Sequence, residues 1–516
     1  MSTANRVVKN TLFLYARMGT SIIVSVLTTR ILLAALGASD YGLYNVVAGA
    51  LYMLGFLSVS MSSATQRFLS YAEGEGNVSN IKLIFDTSIT LHWWIAMLVC
   101  VLYIIAGLFF FNGILNIPSG RENTAIVVYG CLIFSTVFSI AIAPYDAVLN
   151  AHENMFFYSL VGIIDVFLKL IIAIFISYSD YDRLLFYGVL MAGESWLLRF
   201  ITKKYCDRIY SVCKEKSSRK RDNGILKKMA SFAGWSMLNI CAGMISLYGM
   251  SIAINHFFGT LLNAALGVAT QLQGVLMGVS RNMSKAITPV LVKKEGASQR
   301  NQMLEISYIG CKFSFLLFSF LALPILFSMP VVLNLWLKDV PEWTALFCIL
   351  LFVSSLIEQM YSFLYQSILA DGNIKWFNIC SSIANILPIF LTCIEFLYGF
   401  APYWAIINWI IFRNVVGCII YVFYAYRNVG LSVIRWGRYV LVPCVLSMVC
   451  LSILFYLIRP QLSYSMPIQF ALIVAMFVIN VPVYWFVALS DTDRGMIMSV
   501  VSNVYNKLHK NKELKY

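Results

Sequence analysis

The sequence predicts an all-α polytopic membrane protein. Of its 516 residues, 60% are hydrophobic and 12% are charged, whereas about a quarter of the residues in an ordinary soluble domain carry a charge. Stretches such as residues 95–111 and 313–327 are apolar on almost every face. A soluble core cannot bury so much apolar surface, and the strands of a membrane barrel would alternate polar and apolar residues. Membrane-spanning helices fit both observations.

The apolar segments predict about fourteen membrane-spanning helices, each long enough for the roughly 20 residues that a span requires. In chain order, they lie at residues 11–36, 44–66, 87–111, 124–149, 156–177, 184–201, 229–255, 260–285, 307–330, 343–370, 376–398, 402–426, 436–458 and 466–489. The first segment is too long for the apolar region of a cleaved signal peptide. We therefore expect it to remain as the first span.

The net charge of +14 indicates the topology rather than a nucleic-acid partner. If the N-terminus is cytoplasmic, 26 of the 38 Lys and Arg residues lie in cytoplasmic segments and only 4 in external ones. Basic residues concentrate in the cytoplasmic loops of membrane proteins. Both termini are therefore predicted to be cytoplasmic.

A basic connection divides the predicted spans into two lobes. The predicted organisation is a six-helix lobe (1–201), a basic cytoplasmic linker (202–228), a second six-helix lobe (229–426), two additional helices (427–489) and a cytoplasmic amphipathic tail (490–516). A faint repeat supports the division, because the turn predicted at Leu36-Gly37 recurs 222 residues later at Phe258-Gly259. Transporters built from such repeats bind substrate at the interface between them.

A few charged side chains lie deep within the predicted spans. A charge at the bilayer centre costs about 2.5–3.5 kcal/mol on insertion scales, so these residues are functional candidates. Lys169 and Arg413 are candidates for a substrate cavity; the ion-coupling candidates are Asp165, Glu194 and Glu358. Asp165 and Lys169 are four residues apart and can face each other on one helix. They either pair to hold helices together or face a cavity.

Span eight carries a stripe of small and polar residues at helical spacing. It comprises Gly267, Gln271, Gly274, Gly278, Arg281 and Lys285. One interpretation is close helix packing with Arg281 and Lys285 at the headgroups. The other is a cavity wall that ends in a basic mouth for an anionic substrate, since Arg binds phosphate through paired donors.

No soluble catalytic motif accompanies these spans. The sequence contains no Walker A, GxSxG or HExxH string. Two D-x-D strings, at residues 180–182 and 491–493, lie in an external loop and at a predicted helix cap. The twelve cysteines include no CxxC pair. We therefore expect neither a cofactor nor a metal.

Two N-terminal motifs carry a family resemblance. Residues 28–44, TTRILLAALGASDYGLY, and residues 62–70, SSATQRFLS, resemble those of bacterial polysaccharide-unit (O-antigen) flippases of the Wzx type. That family belongs to the multidrug/oligosaccharidyl-lipid/polysaccharide exporter (MOP) superfamily. The resemblance implies a V-shaped fold of two lobes in the bacterial inner membrane.

The same resemblance implies that undecaprenyl-diphosphate-linked oligosaccharides are flipped across the membrane by alternating access. Its partners would be that lipid, membrane lipids and other polysaccharide assembly proteins, without nucleic acid. The natural cavity positions to carry over are Arg17, Arg30, Asn239, Gln271, Arg281 and Lys285. Snorkelling to the membrane edge is the competing interpretation of Arg30.

Two other functions remain open from the sequence. A cation-coupled multidrug antiporter of the MATE type would share the fold and would need an acidic cavity for organic cations. An integral membrane glycan-modifying enzyme would need a catalytic loop, and the external loops are about a dozen residues or shorter. The basic mouth and the N-terminal motifs favour the flippase.

Overall fold

The computed structural model describes residues 3–52, 55–114, 117, 120–214, 222–337, 339–460, 464–499 and 502. Within these ranges the regular secondary structure is helical, with no β-strand. The all-α polytopic fold predicted from the composition is therefore confirmed.

Sixteen helices are labelled here in chain order. The first eight are α1 (Thr3–Tyr52), α2 (Gly55–Glu75), α3 (Val78–Phe109), α4 (Glu122–Ala151), α5 (Met155–Ser177), α6 (Arg183–Ile209), α7 (Ser211–Lys214) and α8 (Asn223–Gly296). The others are α9 (Arg300–Phe327), α10 (Met329–Trp336), α11 (Thr344–Gln359), α12 (Ser362–Asp371), α13 (Lys375–Leu397), α14 (Trp404–Val429), α15 (Val433–Ile458) and α16 (Met466–Ala488).

In the described ranges, 11 helices are long and apolar enough to cross a membrane, or up to 12 if α11 and α12 form one broken span. The number is lower than fourteen partly because α8 comprises two helices that meet at the non-helical Gly259 and are counted together. Two predicted spans, 229–255 and 260–285, lie within α8, which has 74 residues. The predicted span 44–66 is divided between α1 and α2.

Both predicted glycine turns are present as kinks inside long helices. Gly37 in α1 has φ 75° and ψ 167°, and Gly259 in α8 has φ 83° and ψ −179°. This backbone conformation is essentially restricted to glycine, because a Cβ atom would be strained there. The two positions are 222 residues apart in the sequence, so the faint repeat has a matching backbone geometry.

The chain forms two compact units. The N-terminal unit comprises Asn10–Ile240 and Val292–Ser298, and the C-terminal unit comprises Met1–Lys9, Cys241–Leu291 and Gln299–Tyr516. The predicted boundaries at 201, 228, 426 and 489 remain predictions. Residues 215–221 of the predicted linker and 503–516 of the predicted tail lie outside the described residues.

In the N-terminal unit, α4 packs against α2, α3 and α6. Tyr129 of α4 is buried and donates a hydrogen bond to the Tyr103 carbonyl at 2.7 Å. Gly107 and Gly188 lie against Tyr129 and Val128, where a Cβ atom would approach within 2.6 and 2.9 Å. Glycines at these contacts therefore let α3 and α6 approach α4 closely.

The last turn of α8 also packs in the N-terminal unit, backbone against backbone. A Cβ atom at Gly296 would lie 2.1 Å from the Tyr71 carbonyl oxygen, and one at Gly74 would lie 2.1 Å from the Lys293 carbonyl oxygen. Such close approach requires glycine at both positions.

An ionic cluster secures the same turn. Lys293 Nζ lies 2.6 Å from Glu73 and 3.1 Å from Glu153, and His152 Nδ1 lies 2.8 Å from Glu73. Burial raises the pKa of Glu73, but the hydrogen bond from His152 and the charge of Lys293 outweigh burial and hold that pKa below its ordinary value. Glu73 is therefore charged at neutral pH and stabilises the docked turn.

In the C-terminal unit, the segment after α16 is anchored by Asp493. Ser490 Oγ accepts a hydrogen bond from the Asp493 amide at 3.3 Å, while Asp493 accepts one from the Ser490 amide at 3.0 Å. This reciprocal capping box opens the helix at residues 491–499. The helix cap predicted at this D-x-D string is confirmed.

Asp493 also forms a buried ion pair. Its carboxylate lies 2.7 Å from Lys312 Nζ of α9, and both side chains are 1% exposed. The Tyr439 hydroxyl donates to the same carboxylate. Burial raises the pKa of Asp493, but the hydrogen bonds from Lys312, Tyr439 and Ser490 together lower it below the ordinary value.

Candidate functional site

The N-terminal unit encloses a cavity of about 580 Å³. All the residues that line it belong to this unit and come from helices α1 to α6. Three of its charged side chains are basic and three are acidic: Arg17, Lys169, Arg199, Asp146, Asp165 and Glu194. Four of these six, Arg17, Lys169, Asp165 and Glu194, are site residues predicted from the sequence.

Asp165 and Lys169 form an ion pair at 2.8 Å along α5. Both side chains are half-buried and both line the cavity. The spacing of four residues places them on one helix face. Asp165 and Lys169 therefore pair with each other along one helix and also face the cavity.

Asp146 and Arg199 form a second ion pair, between α4 and α6, at 2.5 Å. Arg199 Nε also donates to Ser139 Oγ at 3.3 Å, and Ser139 lies 3.5 Å from Ser195 Oγ. This network holds α4 and α6 together along one wall of the cavity.

Sequence reasoning missed Asp146 and Arg199, because both lie near the ends of predicted spans, where charges can snorkel. A signal was present in the polar spacing. Ser139 and Asp146 are seven residues apart on α4, and Ser195 and Arg199 are four apart on α6, so each pair lies on one helix face.

Glu194 is the most buried charged group of the cavity, at 6% exposed. Its Oε1 atom has no hydrogen-bond partner among the described residues. Asp165 lines the same cavity. The cavity thus contains two carboxyl groups, on α5 and α6, each of which can take up a proton.

Arg17 enters the cavity through a groove on α5. Its guanidinium lies 4.7 Å from the centre of the Tyr158 ring. A Cβ atom at Gly162 would lie 2.0 Å from Arg17 Nε, so the absence of a side chain at Gly162 makes room for the guanidinium. No carboxylate of the described residues lies within ion-pair distance of Arg17, so its charge is available to a ligand.

Glu358 and Arg413 lie together in the C-terminal unit. Glu358 of α11 and Arg413 of α14 are 3.9 Å apart, and their side chains are 31% and 34% exposed. The two residues were predicted for different roles, ion coupling and substrate binding. The structure shows that they face each other.

The five other predicted site residues do not line the cavity of the N-terminal unit. Arg30 is exposed on α1 and Asn239 is half-buried on α8. Further along α8, Gln271 and Arg281 are exposed, Lys285 is half-buried, and Arg281 donates to a carbonyl of its own helix at 2.8 Å. A role for these five residues in substrate binding remains a prediction.

The acidic strings that resemble metal sites cap helices. Asp182, from the first D-x-D string, accepts hydrogen bonds from the amides of Leu184 and Leu185 at the start of α6. Asp493, from the second, closes the capping box described above. Over the described ranges, no group of three or more His, Cys, Asp or Glu residues could hold a metal ion.

Solved transporters share this architecture. VcmN, a MATE transporter from Vibrio cholerae in its bent form, matches with a TM-score of 0.68 and 16% identity, over 85% of this chain and 100% of its own. An outward-facing multidrug resistance MATE family transporter of the MOP superfamily also matches with a TM-score of 0.68, at 14% identity, over 83% of this chain and 98% of its own. The chain has the MATE transporter fold.

The MATE fold also occurs in a MOP superfamily transporter from Pyrococcus furiosus, for which the reverse polarity of the binding pocket suggests a different function. It matches with a TM-score of 0.68 and 12% identity, over 83% of this chain and 98% of its own. The sequence matches no protein-family model and no curated protein sequence. These comparisons establish the fold of the chain.

Proposed function

We propose that this protein flips undecaprenyl-diphosphate-linked oligosaccharides from the inner to the outer leaflet of the bacterial inner membrane by alternating access. Both termini would lie in the cytoplasm, as the distribution of basic residues indicates. The observation that carries the proposal is the guanidinium of Arg17, which borders the cavity of the N-terminal unit and has no carboxylate partner among the described residues. The MATE transporter fold and the N-terminal motifs support it.

Arg17 would bind the diphosphate of the cargo. A guanidinium binds phosphate oxygens through paired, charge-assisted hydrogen bonds. The two other basic groups of the cavity are already paired, Lys169 with Asp165 and Arg199 with Asp146. The volume of about 580 Å³ lies in the range of about 300–1,000 Å³ typical of ligand sites. It suits a diphosphate with its first sugars, while the lipid tail stays in the bilayer.

Glu194 and Asp165 would couple flipping to a proton. Both carboxyl groups line the cavity, and Glu194 is buried with a carboxyl oxygen that has no partner among the described residues. When a phosphate occupies Arg17, the added negative charge favours a proton on this pair. Proton binding and cargo binding would thus assist each other. Glu358 is the alternative coupling residue.

A MATE-type antiporter for organic cations is the second candidate. Glu194 supports it, because a buried carboxyl group with an unpartnered oxygen can bind a cation. Tyr44, Tyr103 and Tyr158 also line the cavity, and aromatic faces attract organic cations. In this alternative Glu194, rather than Arg17, would hold the cargo.

Substitution of Gly162 by alanine tests the proposal without removing any charge. A methyl group in the variant Gly162→Ala would displace the Arg17 guanidinium, since Cβ would lie 2.0 Å from Nε. We expect this variant to lose most of its ability to restore surface polysaccharide in a strain that lacks the protein. The measurement is surface polysaccharide at equal membrane abundance.

Gly130→Ala is the matched control, because no heavy atom lies within 4 Å of its added Cβ. This variant should restore polysaccharide like the wild type. If Gly162→Ala transports normally while Glu194→Gln is inactive, the antiporter becomes the better function. If Gly162→Ala does not accumulate in the membrane, Arg17→Lys tests the same contact, because lysine keeps the positive charge but lacks the paired donors.

A further inference from the structure

Arg413 in the C-terminal unit lies between two irregular helices. Its helix, α14, contains a π-helical segment at Trp409–Val416, and such insertions are frequent at functional sites. The facing pair, α11 and α12, bends by 44° at a short break. Glu358 lies in the last turn of α11, immediately before that break. Two irregular helices therefore bring these charges together.

The backbone around Arg413 is held firmly. Asn414 donates to Ser354 Oγ of α11 at 2.7 Å, and the Tyr361 hydroxyl donates to the Arg413 carbonyl at 3.5 Å. On the other side of the break, Trp436 Nε1 donates to the Met360 carbonyl at 3.2 Å. The position of Arg413 is thus defined by contacts that do not involve its guanidinium.

The guanidinium itself is held loosely. Its distance from Glu358 is 3.9 Å. Two other pairs of the same unit, Arg300 with Asp371 and Arg435 with Glu305, are 2.8 and 2.5 Å apart. At 3.9 Å a direct hydrogen bond does not form. The remaining contact is with the Trp409 ring, whose centre lies 5.1 Å away.

We propose that Arg413 forms a second anion-binding site, in which a phosphate-type oxyanion displaces Glu358 from the guanidinium. A half-exposed guanidinium has donors to offer, and an oxyanion at hydrogen-bond distance satisfies them better than a carboxylate at 3.9 Å. The Trp409 ring lies beneath the guanidinium and attracts its positive charge. Glu358 would thereby act as a competitor that keeps the site closed to weak anions.

The proposal does not depend on the cargo assigned to the N-terminal unit. The oxyanion could belong to the diphosphate of a lipid or to a free inorganic phosphate, because the two share the same oxygens. Inorganic diphosphate and farnesyl diphosphate separate these sources. A site for free anions binds only the former, whereas a site open to lipid headgroups binds both.

The test is calorimetric titration of both probes into the purified full-length protein. An Arg17→Gln background removes the anion site proposed for the other unit. In this background Glu358→Gln should bind diphosphate about tenfold more tightly, since it removes a competing like charge beside the anion. Arg413→Gln should abolish binding, and Arg413→Lys should weaken it while keeping the charge.

Glu305→Gln is the matched control, because it removes the acidic partner of Arg435, and this ion pair of the same unit lies outside the proposed site. It should leave diphosphate affinity unchanged. Equal affinity of Glu358→Gln and its background would overturn the proposal, as would absence of binding by both probes. The unfolding temperature of each variant shows whether lost binding reflects lost folding. Failure of the proposal for Arg413 would leave the proposed role of Arg17 unaffected.

Discussion

At the scale of single residues, the buried ion pair of the C-terminal unit and Arg17 of the cavity differ in how their charges are paired. Lys312 and Asp493 are 1% exposed, and they are joined at 2.7 Å beneath the Tyr439 ring, whose centre lies 4.2 Å from Lys312 Nζ. Arg17 borders a cavity and lies beside an aromatic ring instead of a carboxylate. Incomplete pairing therefore distinguishes Arg17 from the structural pair of Lys312 and Asp493.

Removal of one partner of the Lys312–Asp493 pair should be strongly destabilising. Lys312→Ala leaves a carboxylate buried without its cation, and we expect a loss of about 3–5 kcal/mol in unfolding free energy. The double variant Lys312→Met, Asp493→Asn removes both charges and should recover most of that loss. Thermal unfolding of the detergent-purified protein measures both.

Asp491→Asn provides the control for that series. Asp491 is 98% exposed and pairs with Arg494 at 3.0 Å, so its loss should leave the unfolding temperature unchanged. A Lys312→Ala protein as stable as the wild type would contradict the structural role assigned to the buried pair.

At the scale of elements, two glycines convert long helices into kinked ones. Gly37 and Gly259 occupy the same region of backbone conformation, with φ of 75° and 83°. A Cβ atom at either position would meet no heavy atom within 4 Å. The requirement for glycine is therefore conformational rather than steric.

Alanine at either kink should destabilise the protein through backbone strain alone. We expect Gly37→Ala and Gly259→Ala each to lose about 1–3 kcal/mol, because this conformation is unfavourable for any residue with a Cβ atom. Chemical unfolding in detergent, followed by loss of helical circular dichroism, measures the loss.

Gly267→Ala in α8 is the matched control. It also meets no heavy atom within 4 Å but lies in regular helix, where alanine is favoured by up to about 1 kcal/mol. It should be neutral or stabilising. Equal effects at Gly259 and Gly267 would mean that the kink carries no strain.

At the scale of the whole molecule, the fold belongs with transporters whose sequences are only 12–16% identical to this one. Such a likeness establishes the architecture, and the cargo depends on a few charges within it. Three basic and three acidic groups line the cavity of the N-terminal unit. The equal numbers of basic and acidic groups do not distinguish an anionic from a cationic cargo. Arg17, which has no carboxylate partner among the described residues, favours the anion.

Deletion of the gene should distinguish the two cargoes. A flippase deletion should accumulate lipid-linked oligosaccharide on the inner leaflet and lose surface polysaccharide, because the charged headgroup cannot cross the bilayer unaided. Extraction of lipid-linked sugars and leaflet-specific labelling measure this. Normal polysaccharide in a deletion strain without a paralogue, together with increased sensitivity to organic cations, would favour the antiporter.

Much of the fold could be predicted because its causes are local. Apolar runs must enter the membrane, so most helix positions followed from hydropathy. The predicted spans 376–398 and 466–489, for example, lie at α13 (Lys375–Leu397) and α16 (Met466–Ala488). The pairing of Asp165 with Lys169 also followed from helical geometry alone. Hydropathy did not show that the two helices of α8 join directly at Gly259, because a kink and a loop have the same apolar pattern.

The sequence by itself determined the membrane class, most helix positions, both glycine turns and the pairing of Asp165 with Lys169, because each depends on composition or on residues within one helical turn. Only the tertiary structure decided which distant charges meet. Asp146 and Arg199 are 53 residues apart and Lys312 and Asp493 are 181 apart, and helix packing brings each pair together. The same packing leaves Arg17 unpaired beside a cavity, and that arrangement supports the proposed function.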